Sequence, residues 1–142
     1  MNPVEYEYDY YLWTQAMAKA LKDRDYSSID WDNLVEEIED MGRSQKRAVE
    51  SLLMRLTEHL LKLQYWEAEK INRAHWRSEI VNFRILLQKR LKDSPSLQAR
   101  LDEIYQEVLP GCKKSVQQLF DLPEPVDLSL EQILDENWFP DC

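Results

Sequence analysis

Apolar residues recur at steps of three and four along most of the chain, which is the spacing of amphipathic helices. The first stripe is largely aromatic and predicts a helix from Tyr6 or Asp9 to Leu21. A second, shorter helix is capped by Asp30 and ended by Gly42, a residue suited to the left-handed conformation found after helices. Its stripe consists of Leu34, Ile38 and Met41.

Two longer stripes follow and predict the central helices of the fold. Ser44 can cap a third helix, whose apolar stripe extends to Leu63 over nearly five turns. Asn72 can open a fourth helix, whose apolar stripe ends at Leu91. We expect these two helices to pack together at the centre of the molecule.

Prolines and a capping motif divide the remainder of the chain. Pro95 suits the first position of a fifth helix, because proline lacks the amide hydrogen that would be unpaired there. Pro110 removes a helical hydrogen bond and should kink or break this helix. Ser129 and Gln132 have the spacing of a capping box, which predicts a short C-terminal helix docked through Trp138.

Composition supports an all-α fold in one domain. The chain has 142 residues and only two glycines, too few for the tight turns of an all-β protein. We therefore predict a compact helical bundle of five to seven helices over residues 1–142.

The longest stretch without a charge has nine residues, against the roughly 20 that cross a bilayer, and the acidic N-terminus does not resemble a secretory signal. We expect a cytoplasmic protein in which Cys112 and Cys142 are ordinary thiols.

Charge is distributed in three blocks. Residues 1–40 hold 11 acids and 3 bases, residues 41–100 hold 6 and 13, and residues 101–142 hold 10 and 2. Arg43, Arg73 and Arg77 lie near predicted helix starts, where cations need compensation from a bound anion or from the acidic blocks. We expect the acidic blocks to supply it. A pI near 4.7 argues against nucleic-acid binding, although Tyr65 and Trp66 accompany the basic block.

Five motifs, in this order, resemble the bacterial family called domain of unknown function, number twenty-nine. They are Tyr8–Trp13 (YDYYLW), Leu34–Ser44 (LVEEIEDMGRS), His59–Tyr65 (HLLKLQY), Asp93–Leu97 (DSPSL) and Gln132–Pro140 (QILDENWFP). The resemblance covers nearly the whole chain and implies an all-helical domain. It implies no activity, because the family has no assigned biochemistry.

The candidate binding residues lie on the predicted second and third helices: Glu36, Glu37, Asp40, Arg43 and His59. Glu37 and His59 both fall beside an apolar stripe, so they can form a structural pair between two helices. The alternative is a divalent cation held by carboxylates and imidazole. The Glu-x-x-His repeat of di-iron bundles is absent, and only the first half of the motif of all-α nucleotide pyrophosphatases is present.

These patterns favour a non-catalytic protein-interaction or regulatory module over an enzyme. An interaction module needs only complementary surfaces, whereas an enzyme needs a converging set of reactive groups that the sequence does not provide. We therefore predict no catalytic residue, metal or cofactor, and we expect an unidentified protein partner and no membrane. A homo-oligomer stays open. The alternative is a metal- or phosphate-dependent hydrolase that uses the acidic cluster.

Overall fold

The computed structural model describes residues 3–67, 69 and 71–140, with side chains from Tyr6 onward. This part of the chain forms seven α-helices and one 3₁₀ turn at Tyr26–Ser28, with no strand. The helices are α1 (Pro3–Tyr8), α2 (Tyr10–Lys22), α3 (Trp31–Tyr65), α4 (Arg73–Asp93), α5 (Pro95–Ala99), α6 (Leu101–Val116) and α7 (Leu130–Leu134). The predicted all-α class and helix number are confirmed. None of these helices combines the length and the apolar character needed to span a bilayer.

Residues 1–45 and 46–142 form two separate structural units. In the first unit, Asp9 caps α2 by accepting a hydrogen bond from the Leu12 amide at 3.0 Å. The core of this unit consists of Trp13, Met17, Ala20 and Ile29. Tyr6, partly buried at the edge of this core, packs against Trp13 with ring centroids 4.7 Å apart, so the predicted aromatic stripe contributes to the core.

The second unit has a larger core, built from the second half of α3 together with α4 and α6. Its fully buried side chains include Leu53, Leu56, Leu60, Ile80, Leu87 and Ile104. Trp66 stacks on Trp76 and on Phe120, with ring centroids 5.6 Å and 5.4 Å apart. The aromatic residues of the basic block therefore pack against other aromatic rings of this unit.

Several predicted helix boundaries are confirmed. Asn72 is the N-cap of α4, and Pro95 is the first residue of α5. The Ser129 hydroxyl accepts from the Gln132 amide, and the Gln132 side chain accepts from the Ser129 amide, which completes the capping box of α7. Ile133 is the buried residue of α7, and Trp138, four residues beyond the helix end, packs against the core while partly buried.

The predicted helix end at Gly42 is wrong, because α3 continues from Trp31 to Tyr65 without interruption. Gly42 has no positive φ and lies within the helix. Glycine in a helix costs only about 1 kcal/mol relative to alanine. The residues that follow, Arg43 to Ala48, include strong helix formers that offset this cost. Ser44 is consequently an internal residue of α3 and caps nothing.

Of the kink or break predicted at Pro110, the structure excludes the break. Helix α6 passes through Pro110 and ends at Val116, whereas the break from α5 falls at Arg100. The Pro110 side chain is exposed, and Val108 and Cys112 on either side of it are buried. Burial of these neighbours on one face keeps α6 helical despite the hydrogen bond that proline cannot make. Cys142 lies outside the described residues.

Candidate functional site

An apolar row on the first half of α3 is exposed to solvent. Trp31, Val35 and Ile38 lie at the spacing i, i+4 and i+7, and their side chains are between 51% and 55% exposed. Gly42 continues the row at i+11, so the four residues span about 60° of the helix surface. A β-carbon added at Gly42 would meet no atom within 4 Å. This row, called the α3 apolar row below, is available to a partner in the described structure.

Part of this helix face is more exposed than its apolar stripe predicts. Ile38 and Met41 were predicted to be buried with Leu34, but both are more than half exposed. Only Leu34 packs against the core of the first unit, where it is partly buried. Trp31 and Val35 were not among the predicted site residues, although their helical spacing with Ile38 and Gly42 is visible in the sequence.

Charged residues form one margin of the α3 apolar row. At 100° per residue, Asp32, Glu36 and Glu39 lie between about 80° and 140° from Trp31. Arg43 lies on the same margin and forms ion pairs with Asp40, one turn earlier, and with Glu39 at 3.8 Å. The hydrogen bond to Asp40 raises the pKa of Arg43. Two of the predicted site residues, Glu36 and Arg43, therefore lie on this margin, whereas Asp40, about 180° from Trp31, lies on the opposite face of α3.

Glu37 faces α1 and α2 and holds them against α3. The hydroxyl of Tyr6 donates a hydrogen bond to one carboxylate oxygen of Glu37, and the Tyr10 hydroxyl donates to the other at 2.7 Å. The hydrogen bond to Glu37 raises the pKa of Tyr6 to about 12 and also raises that of Tyr10. Both carboxylate oxygens of Glu37 are thus engaged, and its role in this structure is to fix the helix arrangement of the first unit.

Asp30 makes a second polar connection in the first unit. One carboxylate oxygen of Asp30 accepts hydrogen bonds from the Asn33 side chain at 2.8 Å and from the Trp13 indole at 3.1 Å. The bond from Asn33, followed by that from Trp13, lowers the pKa of Asp30. Its carbonyl oxygen accepts from the Leu34 amide at 3.0 Å, which places Asp30 at the N-cap position predicted for it.

His59 belongs to a different cluster from the other predicted site residues. Its Nδ1 lies 2.8 Å from the Arg55 carbonyl oxygen, and its Nε2 contacts a carboxylate oxygen of Glu79. The other oxygen of Glu79 lies 3.0 Å from Nε2 of His75. The predicted contact of Glu37 with His59 is wrong, since both belong to α3 at a separation of 22 residues, where side chains on one helix cannot meet.

Arginines of the basic block bind carbonyl oxygens and aromatic rings. Arg73 donates to the Leu63 carbonyl oxygen at 2.8 Å, and the Arg77 guanidinium lies 4.2 Å from the centre of the Phe139 ring. Arg43 pairs with acids of its own helix. For these arginines, the expected compensation by the acidic blocks holds only for Arg43.

The described residues provide no set of metal ligands. Among them, no group of three or more histidine, cysteine, aspartate or glutamate side chains is arranged to hold a metal ion. Cys112 is buried, and its burial raises the pKa of the thiol to about 12, which disfavours the reactive thiolate.

The chain is similar to a solved α-helical protein of unknown function from Rhodospirillum rubrum ATCC 11170, with 26% sequence identity and a TM-score of 0.56. The similarity covers 94% of this chain and 90% of that one. No curated protein matches the sequence. Residues 5–139 match the family described as "Domain of unknown function DUF29", and the chain therefore belongs to that family.

Proposed function

We propose that the chain is a non-catalytic protein-interaction module that binds an amphipathic helix of a partner protein through the α3 apolar row. The observation that carries this proposal is the exposure of Trp31, Val35 and Ile38 on one helix face. Apolar residues at i, i+4 and i+7 are the usual anchors of helix-to-helix recognition. Gly42 continues the row and would let a partner helix approach α3 closely, since no described atom covers that position.

The charge around the row selects the kind of partner. Residues 1–40 hold 11 acids and 3 bases, and three of those acids, Asp32, Glu36 and Glu39, line one margin of the row. A second copy of the chain would bring like charges together at this surface, which costs affinity. A helix with an apolar face flanked by lysine or arginine would complement it. We therefore propose a basic amphipathic helix as the occupant, with Glu36 and Arg43 at the edge of the interface. Asp40, about 180° from Trp31 around α3, and His59 lie outside it.

This role is proposed for the whole chain as one cytoplasmic domain. The family match over residues 5–139 supports a single functional unit, because it spans both structural units. Aromatic and aliphatic anchors at the centre of an interface and charges at its rim are the arrangement expected of a recognition surface.

Site-specific photo-crosslinking in the native host tests the proposal. A photoreactive residue replaces Val35 or Ile38, and the matched control places it at Ala18, an exposed position of α2 in the same unit. We expect adducts with one protein at positions 35 and 38 and none at position 18. Mass spectrometry of the adduct should locate the crosslink in a helix rich in lysine or arginine.

The captured segment, made as a peptide, then allows a quantitative check. Trp31→Ala should weaken its binding by tenfold or more, as expected for a central anchor residue. Gln15→Ala, at an exposed position of α2, should leave binding unchanged. An adduct to a second copy of this chain, to an acidic segment, or equally at position 18 would contradict the proposal. The absence of any adduct at positions 35 and 38 would contradict it as well.

A further inference from the structure

A pocket of about 480 Å³ lies in the second unit, between one face of α4 and the segment that follows α7. Its volume falls within the range of roughly 300–1,000 Å³ that is typical of small-molecule sites. The α4 wall includes Val81, Ile85, Lys89 and Lys92, and the opposite wall includes Glu136. All of these residues belong to one unit, and none of them is part of the α3 apolar row.

Arg84 forms the buried end of the α4 wall. It is 3% exposed and occupies the same helical row as the buried Ile80, Leu87 and Leu91, where an apolar residue is expected. Its Nε donates to the Ile133 carbonyl oxygen at 2.8 Å and its Nη2 to that of Gln132 at 3.1 Å. Its Nη1 is buried and has no hydrogen-bond partner among the described residues.

The positive charge of Arg84 is incompletely compensated. Burial lowers the pKa of Arg84, because desolvation disfavours the charged guanidinium, and the nearby Asp135 carboxylate only opposes this effect. The two hydrogen-bond acceptors it uses are neutral carbonyl groups. An anion in the pocket would add the negative charge that the two neutral carbonyl groups do not supply to the buried guanidinium.

Two lysines extend the positive charge to the mouth of the pocket. Lys89 and Lys92 line it, and no ion pair within the described part of the chain engages either of them. Against these three cations, Glu136 is the acid that lines the pocket. The α4 wall also carries apolar surface from Val81 and Ile85, which are 46% and 58% exposed, and the polar side chain of Gln88.

We propose that this pocket binds a small amphipathic anion, with its carboxylate or phosphate held by Lys89, Lys92 and the field of Arg84. The short apolar part of the molecule packs on Val81 and Ile85. A purely ionic ligand would leave the apolar wall in water, and a purely apolar ligand would leave the cations uncompensated. This ligand site is independent of the proposed protein-interaction surface on α3, so each can fail without the other.

Calorimetric titration of the full chain with probes of equal carbon number tests the pocket. The probes are octanoate, monooctyl phosphate and octylammonium, each below its micelle concentration, together with inorganic phosphate. We expect both alkyl anions to bind, octylammonium to show no binding, and inorganic phosphate to bind at least tenfold more weakly than monooctyl phosphate. The ratio of the two alkyl anions then identifies the headgroup that the site prefers.

Variants locate the binding on α4. Lys89→Gln combined with Lys92→Gln should weaken octanoate binding about tenfold, as expected for loss of charge-assisted contacts. Lys22→Gln combined with Lys114→Gln removes the same charge at exposed positions outside the pocket and should change affinity less than twofold. Ile85→Ser should weaken octanoate but leave inorganic phosphate unchanged. All five substituted side chains are exposed, so folding is expected to persist.

Four results would overturn the proposal. They are binding of octylammonium as tight as that of octanoate, binding of inorganic phosphate as tight as that of monooctyl phosphate, equal effects of the two lysine pairs, and no binding of either alkyl anion at millimolar concentration. Weaker octanoate binding in Ile85→Ser and in the Lys89 and Lys92 variant, without loss in the control pair, would support it.

Discussion

At the scale of single residues, Arg84 is the side chain whose environment departs most from its sequence context. The buried row of α4 is otherwise apolar, and a guanidinium in such a row must have its charge and donors satisfied. The carbonyl oxygens of Gln132 and Ile133 supply two hydrogen bonds, and the ring of Phe139 lies 5.1 Å from the guanidinium carbon. Arg84 therefore joins α4 to the C-terminal segment by contacts that require a planar group.

Arg84→Lys should destabilise the folded chain by about 1–3 kcal/mol, because one ammonium group cannot reproduce a planar fork bonded to two carbonyl groups. Urea unfolding followed by circular dichroism measures the loss. The matched control is Arg77→Lys, which retains a cation above the same Phe139 ring at an exposed position and should cost less than about 1 kcal/mol. Equal losses in the two variants would show that the buried hydrogen bonds of Arg84 contribute little.

At the scale of helices, local motifs were read correctly from the sequence and single helix-breaking residues were not. Asn72, Pro95 and the pair Ser129 and Gln132 start helices as predicted, because each acts through backbone groups within one turn. Gly42 and Pro110 did not end helices. They destabilise a helix by about 1 and 3 kcal/mol respectively, and the helix continues where packing of the flanking residues offsets that destabilisation.

The contacts of the candidate site were less predictable than the helix starts, because they depend on packing between helices. The positions of Glu37 and His59 beside apolar stripes were visible, but the choice of partner depends on how helices pack. Glu37 binds Tyr6 and Tyr10, and His59 binds Glu79. The signal for Arg84 was present as a lone charged residue at the spacing of Ile80 and Leu87. Its carbonyl partners, 48 and 49 residues away, could not be inferred from that spacing.

The continuity of α3 at Gly42 can be tested by Gly42→Ala. Within a helix, and with no atom near the added methyl group, this change should stabilise the chain by about 0.5–1 kcal/mol. If Gly42 ended the helix in a left-handed conformation, as first predicted, alanine would be strained there and the same change would destabilise the chain. Urea unfolding distinguishes the helical from the left-handed conformation of Gly42 by the sign of the change in the free energy of unfolding. Ser44→Ala serves as the control, because Ser44 caps no helix and its loss should not carry the cost of a lost N-cap.

At the scale of the whole molecule, several ion pairs of the described residues are local. Within the described residues, the ion pairs of Arg43, Lys19 and Arg100 join neighbours on the chain, three or four residues apart. Surface pairs of this kind contribute little to stability. Among the groups whose pKa shifts in the folded chain, four are neutral at physiological pH. They are Tyr6, Tyr10, Tyr105 and Cys112.

These four groups predict that stability falls in alkaline solution. Burial raises the pKa of Tyr105 from 10.0 to about 12 and that of Cys112 from 9.0 to about 12. Between these values the unfolded chain releases protons that the folded chain retains, so the free energy of unfolding decreases as pH rises. Below pH 9 the groups are protonated in both states, and their contribution is fully present. Tyr105 alone should account for a loss of about 2 kcal/mol between pH 10 and pH 12.

Urea unfolding at pH 8, 9.5 and 11.5 measures this decline in the wild type and in Tyr105→Phe. The variant loses the hydrogen bond from Tyr105 to the Leu128 carbonyl oxygen, so it should be less stable at pH 8. Because phenylalanine has no proton to release, its stability should fall less steeply above pH 10. Tyr8→Phe, at a position 88% exposed, should follow the wild-type curve. If Tyr105→Phe declines as steeply as the wild type, the alkaline loss does not arise from the buried phenol, and its coupling to folding is refuted.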